Sequence, residues 1–185
     1  MDLLLSALRE MPEYVKLKNT LEAGRTAALS GVGQVHRLHF AAALHKLEGL
    51  RLLIVCQDDL AASRCAQELS GFLGFQPAVL GTRELTLYDA GVVSRGWEYR
   101  RLHTLWQLGR GELPILVASL EAMSQRTMPK DVLYAAAIPL KMGASYDLAE
   151  LSDRLTGAGY SRCTMVEGEK IQEVWPSRRD EAHFR

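Results

Sequence analysis

Cysteine is scarce in this sequence: Cys56, Cys65 and Cys163 are the only three among 185 residues. An odd and widely spaced set is neither a disulfide framework nor a zinc-ligand spacing, and a reducing cytoplasm is the compartment it suggests. No run approaches the ~18 consecutive apolar residues that a membrane-spanning helix needs, so no membrane partner is expected. Net charge is missing too. The 22 basic and 22 acidic residues cancel, which removes any global pull toward nucleic acid or anionic lipid. The N-terminal MDLLLSALREM begins apolar, but Asp2 stands where a signal peptide would be basic and charge returns at Arg9 and Glu10. That pattern reads as an amphipathic helix. Internal repeats and low-complexity stretches are also lacking.

What is present is an ordinary globular composition, 48% apolar and 24% charged, in a chain long enough for one good core or for one domain plus a smaller piece. The organising stretch is Leu29 to Asp59, LSGVGQVHRLHFAAALHKLEGLRLLIVCQDD. It has the layout of a nucleotide-binding core: a glycine-bearing turn, a helix, then a strand ending in carboxylates. A working phosphate loop would read G-x-x-x-x-G-K-[ST], with glycine amides wrapping the phosphates, the lysine neutralising them and the hydroxyl holding magnesium. Here Gly31 and Gly33 are followed by Gln34, Val35, His36 and Arg37, so lysine and hydroxyl are both missing. The loop is degenerate. No cofactor is expected, and Asp58 or Asp59 reads as a helix cap more readily than as a magnesium ligand.

The spacing of apolar residues predicts packing helices before and after Pro12, and a largely buried helix over Gln34 to Leu47 with His36, His39 and Lys46 as its polar stripe. The aliphatic run Leu50 to Cys56 reads as a strand covered on both faces, as in parallel sheets. A helix carrying Ala62, Cys65, Leu69 and Phe72 on one face should follow, ending at Gly74, and then a short strand Ala78 to Leu80, which completes a βαβ unit. Gly81 to Val93 reads as a partly packed loop, Ser94 as the cap of a helix to Leu108, Ile115 to Ala118 as a buried strand and Ser119 as the start of a short helix. A change of texture places a boundary near Thr127 to Val132, between a first domain over 1–129 and a second unit over 130–185. In the second unit, Ala137 to Met142 and Tyr160 to Val166 read as strands, and Asp147 caps a helix through Leu148, Leu151 and Leu155.

Other chemistry has thinner support. His36 and His39 at i, i+3 lack a carboxylate one turn away. There is no G-x-S-x-G elbow, and the cysteines lie within apolar patterns, where burial makes thiols inert. Arg95, Arg100 and Arg101 beside Trp97 and Tyr99 would suit a DNA backbone, but one such cluster is more often the solvent face of a helix.

Taken together, LSGVGQVHRLHFAAAL, LLIVCQDDLAASRCAQELSGFLG, TRELTLYDAGVVSRGWEYRRLHTLWQL, ILVASLEAMSQRTMP and LKMGASYDLAELSDRLTGAGYSRCTMVEGE resemble the N-terminal region of the bacterial transcription-repair coupling factor (Mfd) family. The telling pieces are Glu84 with Tyr88-Asp89, Ser94 with Arg100-Arg101-Leu102, Gln125-Arg126 with Pro129, and Gly159-Tyr160-Ser161-Arg162. That family shares this region with the excinuclease subunit UvrB. The resemblance implies a RecA/helicase-like α/β domain whose nucleotide site has degenerated, followed by a smaller α+β unit that binds UvrA. It also implies a non-catalytic scaffold, with the family's motor beyond the length of this chain and the remainder of the coupling factor as a partner. A helicase-type ATPase related to UvrB and a DNA-backbone module are the alternatives. Arg162 is the one partner contact carried over. After Gly168 and Glu169 the pattern departs, because Lys170-Ile171-Gln172-Glu173 supplies no Arg-Gly pair.

Overall fold

The structure, a computed structural model, describes residues 2–82, 96–158 and 160, with nothing described of the side chains of residues 2 and 3. These residues fall into two compact units, one of 2–82 with 100–126 and a second of 96–99 with 127–158 and 160.

The first unit opens with α1 (Asp2–Ala7), a 3₁₀ turn over Leu8–Glu10, and α2 (Pro12–Glu22). Pro12 sits in the first turn of α2, where its missing N–H and fixed φ cost nothing. Leu5, Leu8, Tyr14 and Leu17 go into the core. Next come α3 (Gln34–Glu48), β1 (Leu52–Cys56), α4 (Asp59–Leu73), β2 (Ala78–Leu80), α5 (Gly96–Arg110), which belongs to this unit from Arg100 onward, β3 (Ile115–Ser119) and α6 (Leu120–Ser124). Helix α3 stops at Gly49 and α4 at Gly74, both with positive φ, the conformation in which glycine pays no Cβ penalty.

The three strands form one parallel sheet in the order β1-β3-β2, so β3 is central and buried along its whole length. One face packs into the main core. That core is built from Leu38, Phe40, Ala42 and Ala43 of α3, Ala62, Cys65, Ala66, Leu69 and Leu73 of α4, and Ile115 and Val117 of β3. On the other face Leu80, Leu116, Ala118 and Ala122 gather with Leu105 of α5.

Strand β1 differs from the sequence expectation. It is an edge strand and is not covered on both faces: Leu52, Ile54 and Cys56 face the main core, whereas Leu53 and Val55 remain 52% and 51% exposed. An unbroken aliphatic run signals a strand but carries no period from which to read an open face.

In the second unit, α7 (Lys130–Ala136) and α8 (Leu148–Gly157) are helices. Asp147 caps α8 by accepting from the amides of Ala149 and Glu150. The strand expected over Ala137 to Met142 is not formed. The chain leaves α7 at Ala137 and runs without regular structure to a turn at Met142-Gly143. No strand of this unit is present among the described residues to pair with it, and Pro139 has no N–H to give. Of the expected strand from Tyr160 to Val166 only Tyr160 is described, without regular structure, and the loop from Arg83 to Val93 and the capping role of Ser94 lie outside the described residues.

Candidate functional site

Parallel α/β sheets bind ligands beyond the carboxyl ends of their strands. Here those ends carry a closed polar cluster. Asp58 is the N-cap of α4, where its Oδ1 accepts from the Ala61 N–H at 2.7 Å. That amide holds the carboxyl below its ordinary value, helped by the Gln57 side chain.

Asp59 points the other way. Its Oδ2 accepts from both the backbone N–H and the hydroxyl of Thr82, at 2.9 and 2.6 Å, and its Oδ1 accepts from the Ser119 hydroxyl. The fully buried Ser119 Oγ in turn accepts from the Ala122 N–H at 3.0 Å and caps α6. Arg101, only 8% exposed, donates to the carbonyls of Gly81 at 2.6 Å and Ala122 at 2.9 Å. Burial alone would push the Asp59 carboxyl up. The hydrogen bonds from Ser119 and Thr82, with the charge of Arg101, more than offset it and leave the carboxyl below its ordinary value.

One carboxylate therefore ties together the ends of all three strands. Asp59 follows β1, Thr82 follows β2 and Ser119 closes β3. Both of its oxygens accept from the protein's own donors, and Asp58 is occupied as a cap. The sequence identified Asp58 and Asp59 but gave no sign of Thr82, Ser119 or Arg101 as their company, because the Asp59 hydrogen bonds span 23 to 60 residues along the chain.

The glycine turn that the sequence reads as a degenerate phosphate loop is exposed at Gly31 and Gly33. Gly31 has φ of 72° with open space around its Cα, and Gly33 is the N-cap of α3, with no side chain capping the helix. In phosphate-loop folds the loop follows a strand. Here residues 25–30 are exposed and unpaired with any described strand.

The histidine stripe is split. His36 is exposed, while His39 stacks on Phe72 at 5.2 Å with its Nε2 buried and without a hydrogen-bond partner, so His39 belongs to packing rather than to a solvated face. Among the described residues no group of three or more His, Cys, Asp or Glu side chains could hold a metal ion. The arginine cluster is also broken up, since Arg101 is spent on backbone carbonyls, Arg100 is exposed and Arg95 lies outside the described residues. Arg162 lies outside them as well. No helix among the described residues is long and apolar enough to cross a membrane.

Fold and site together define an α/β protein built on a small parallel sheet with an internally satisfied polar cluster at its strand ends. Its relatives specify which. The chain is 32% identical to the transcription-repair-coupling factor of Myxococcus xanthus over 83% of its length. It is 24% identical to those of Bacillus subtilis (strain 168) and Escherichia coli (strain K12), over 90% and 84%. It spans 14% of the length of each of these relatives. The chain is therefore similar to one segment of the transcription-repair-coupling factors. No family model matches it, and no solved structure does.

Proposed function

We propose that this chain is a non-catalytic scaffold of a transcription-repair coupling factor, acting in the cytoplasm to recruit UvrA to stalled transcription. Its first unit is a RecA/helicase-like, UvrB-related domain that has kept its packing and lost its phosphate chemistry. Its second unit carries the UvrA contact, with Arg162 as the matching basic residue.

The observation that carries this reading is the state of the two strand-end carboxylates. In a working phosphate-loop enzyme a carboxylate at this level shares a magnesium ion with a loop hydroxyl, and a lysine reaches the phosphates. Here Asp58 caps a helix, Asp59 is held by Thr82 and Ser119, and Gly33 is followed by Gln34. Kinship with the coupling factors supports a role in transcription-coupled repair.

A pull-down of purified UvrA by the full chain tests the proposal. Retention of UvrA, reduced at least tenfold by Arg162→Ala, is the expected result. Failure to bind overturns the partner assignment for this chain, most directly if a version with an Arg-Gly pair in place of Lys170-Ile171 does bind. Saturable micromolar binding of ATP that Gly33→Arg abolishes would overturn the scaffold reading in favour of a helicase-type ATPase.

A further inference from the structure

Helix α2 has two faces of opposite character. Tyr14 and Leu17 are buried in the core, and Lys18 beside them is paired twice, with Glu48 at 2.6 Å and with Glu22 at 3.7 Å. The other face carries Pro12, Val15, Lys16, Asn19 and Ala23 at i, i+3, i+4, i+7 and i+11 and borders an open groove of about 570 Å³. Val15 is 40% exposed there. The helix ends in a Schellman turn. Gly24, at φ 67°, donates its N–H to the Leu21 carbonyl at 2.9 Å, and Arg25 donates its N–H to the Thr20 carbonyl at 3.0 Å. That closure turns the chain back so that Arg25 lines the same groove. The groove thus has one cation from the helix and one from its cap. Among the described residues neither the Lys16 ammonium nor the Arg25 guanidinium has an ion-pair partner, and no acidic side chain lines the groove.

We propose that this groove docks an acidic amphipathic helix of a partner protein, whose apolar residues lie on Pro12, Val15 and Ala23 and whose carboxylates pair with Lys16 and Arg25. Charge complementarity selects the occupant. Two cations without counter-charges flank an apolar floor, so the surface that completes it carries carboxylates beside an apolar stripe. The groove is too open to enclose a small molecule, which a ligand pocket buries almost entirely. A membrane surface calls for a cluster of about four to eight basic residues, and two are present. A nucleic-acid backbone gains nothing from Val15 and Ala23, since its outer surface is phosphate and sugar. From Pro12 to Ala23 the face is about 16 Å long, which fits about three turns of a docked helix. The site lies wholly in the first unit and is separate from the UvrA contact assigned to the second.

The test titrates the full chain, without UvrA, against a fluorescein-labelled amphipathic helical peptide built from leucine, alanine and glutamate, and follows fluorescence anisotropy. The expected result is saturable micromolar binding that weakens as salt is raised and is at least tenfold weaker when the glutamates are replaced by glutamine. The double variant Lys16→Glu, Arg25→Glu should lose the glutamate peptide at least tenfold and gain a lysine version of it. Both positions are exposed, and an unchanged urea midpoint shows that the variant still folds. The proposal is overturned if the glutamate peptide does not bind, if the glutamine peptide binds equally well, or if the double variant binds the glutamate peptide as the parent does. It is also overturned if duplex DNA or phosphatidylserine vesicles, and not the peptide, bind in a way that the double variant abolishes.

Discussion

Asp59 holds Thr82 twice, accepting from its backbone N–H at 2.9 Å and from its hydroxyl at 2.6 Å, across a sequence separation of 23 residues. With the Ser119 hydroxyl on its other oxygen, this carboxylate clamps the ends of all three strands.

Replacing Asp59 by alanine strands the Thr82 N–H, the Ser119 hydroxyl and the neighbouring Arg101 charge. The expected loss is about 1–3 kcal/mol, the usual cost of leaving partly buried donors unsatisfied. Urea unfolding followed by circular dichroism measures it. Asp58→Ala removes a cap alone and should cost about 1 kcal/mol. Equal effects of the two variants would refute the clamp.

The same clamp sets an acid limit. The folded pKa of Asp59 lies below its ordinary value, so its contribution to stability is present above about pH 3.9 and is lost as pH falls through the lower folded value. Asp59→Asn removes this titration. Between pH 5 and 3, a range chosen to span about one unit on either side of the ordinary aspartate value, the slope of unfolding free energy against pH should be shallower in the variant than in the parent. Superimposable slopes would count against it.

At the alkaline end Tyr14 takes over. Its ring is buried against Phe40 and its hydroxyl donates to Glu48, which also pairs with Lys18 at 2.6 Å. Burial first, then the Glu48 charge, pushes the phenol up to about 12. A group raised in the folded state supports the fold fully below its unfolded pKa of about 10 and loses that support as pH rises toward the folded value. Tyrosinate absorbance should show one phenol titrating about two units late, an anomaly that Tyr14→Phe removes.

Leucines of one aliphatic run and one helix should respond very differently to truncation. Leu69→Ala empties a fully buried site and should cost about 2–5 kcal/mol. Leu53→Ala, on the open face of β1, should stay within about 0.5 kcal/mol. A large loss at Leu53 in urea titration would mean that this face is covered in solution.

Local signals carried much of the fold. The extents of α3, α4, β2 and β3 to within a residue, a cap at Asp58 or Asp59, the helix starts at Ser119 and Asp147, and the stop at Gly74 follow from periodicity, from short polar side chains that reach the nearest free amides, and from glycine's tolerance of positive φ. The missing lysine and hydroxyl after Gly33 were equally plain, since a phosphate loop is a contiguous motif. Ala137 to Met142 misled because apolar residues around Pro139 look strand-like, while a strand exists only where a neighbour pairs with it.

Only the tertiary structure decided which strand lay at the edge, which arginine was buried, and which residues met. Strand order placed β3 between β1 and β2, and this brought Asp59, Thr82 and Ser119 to one end of the sheet. The same packing turned Arg101 inward onto two carbonyls. Sequence fixes what each residue can do within a few positions of itself. Contacts that span tens of residues depend on how the sheet is ordered and on which helix covers which face, and no local pattern records either.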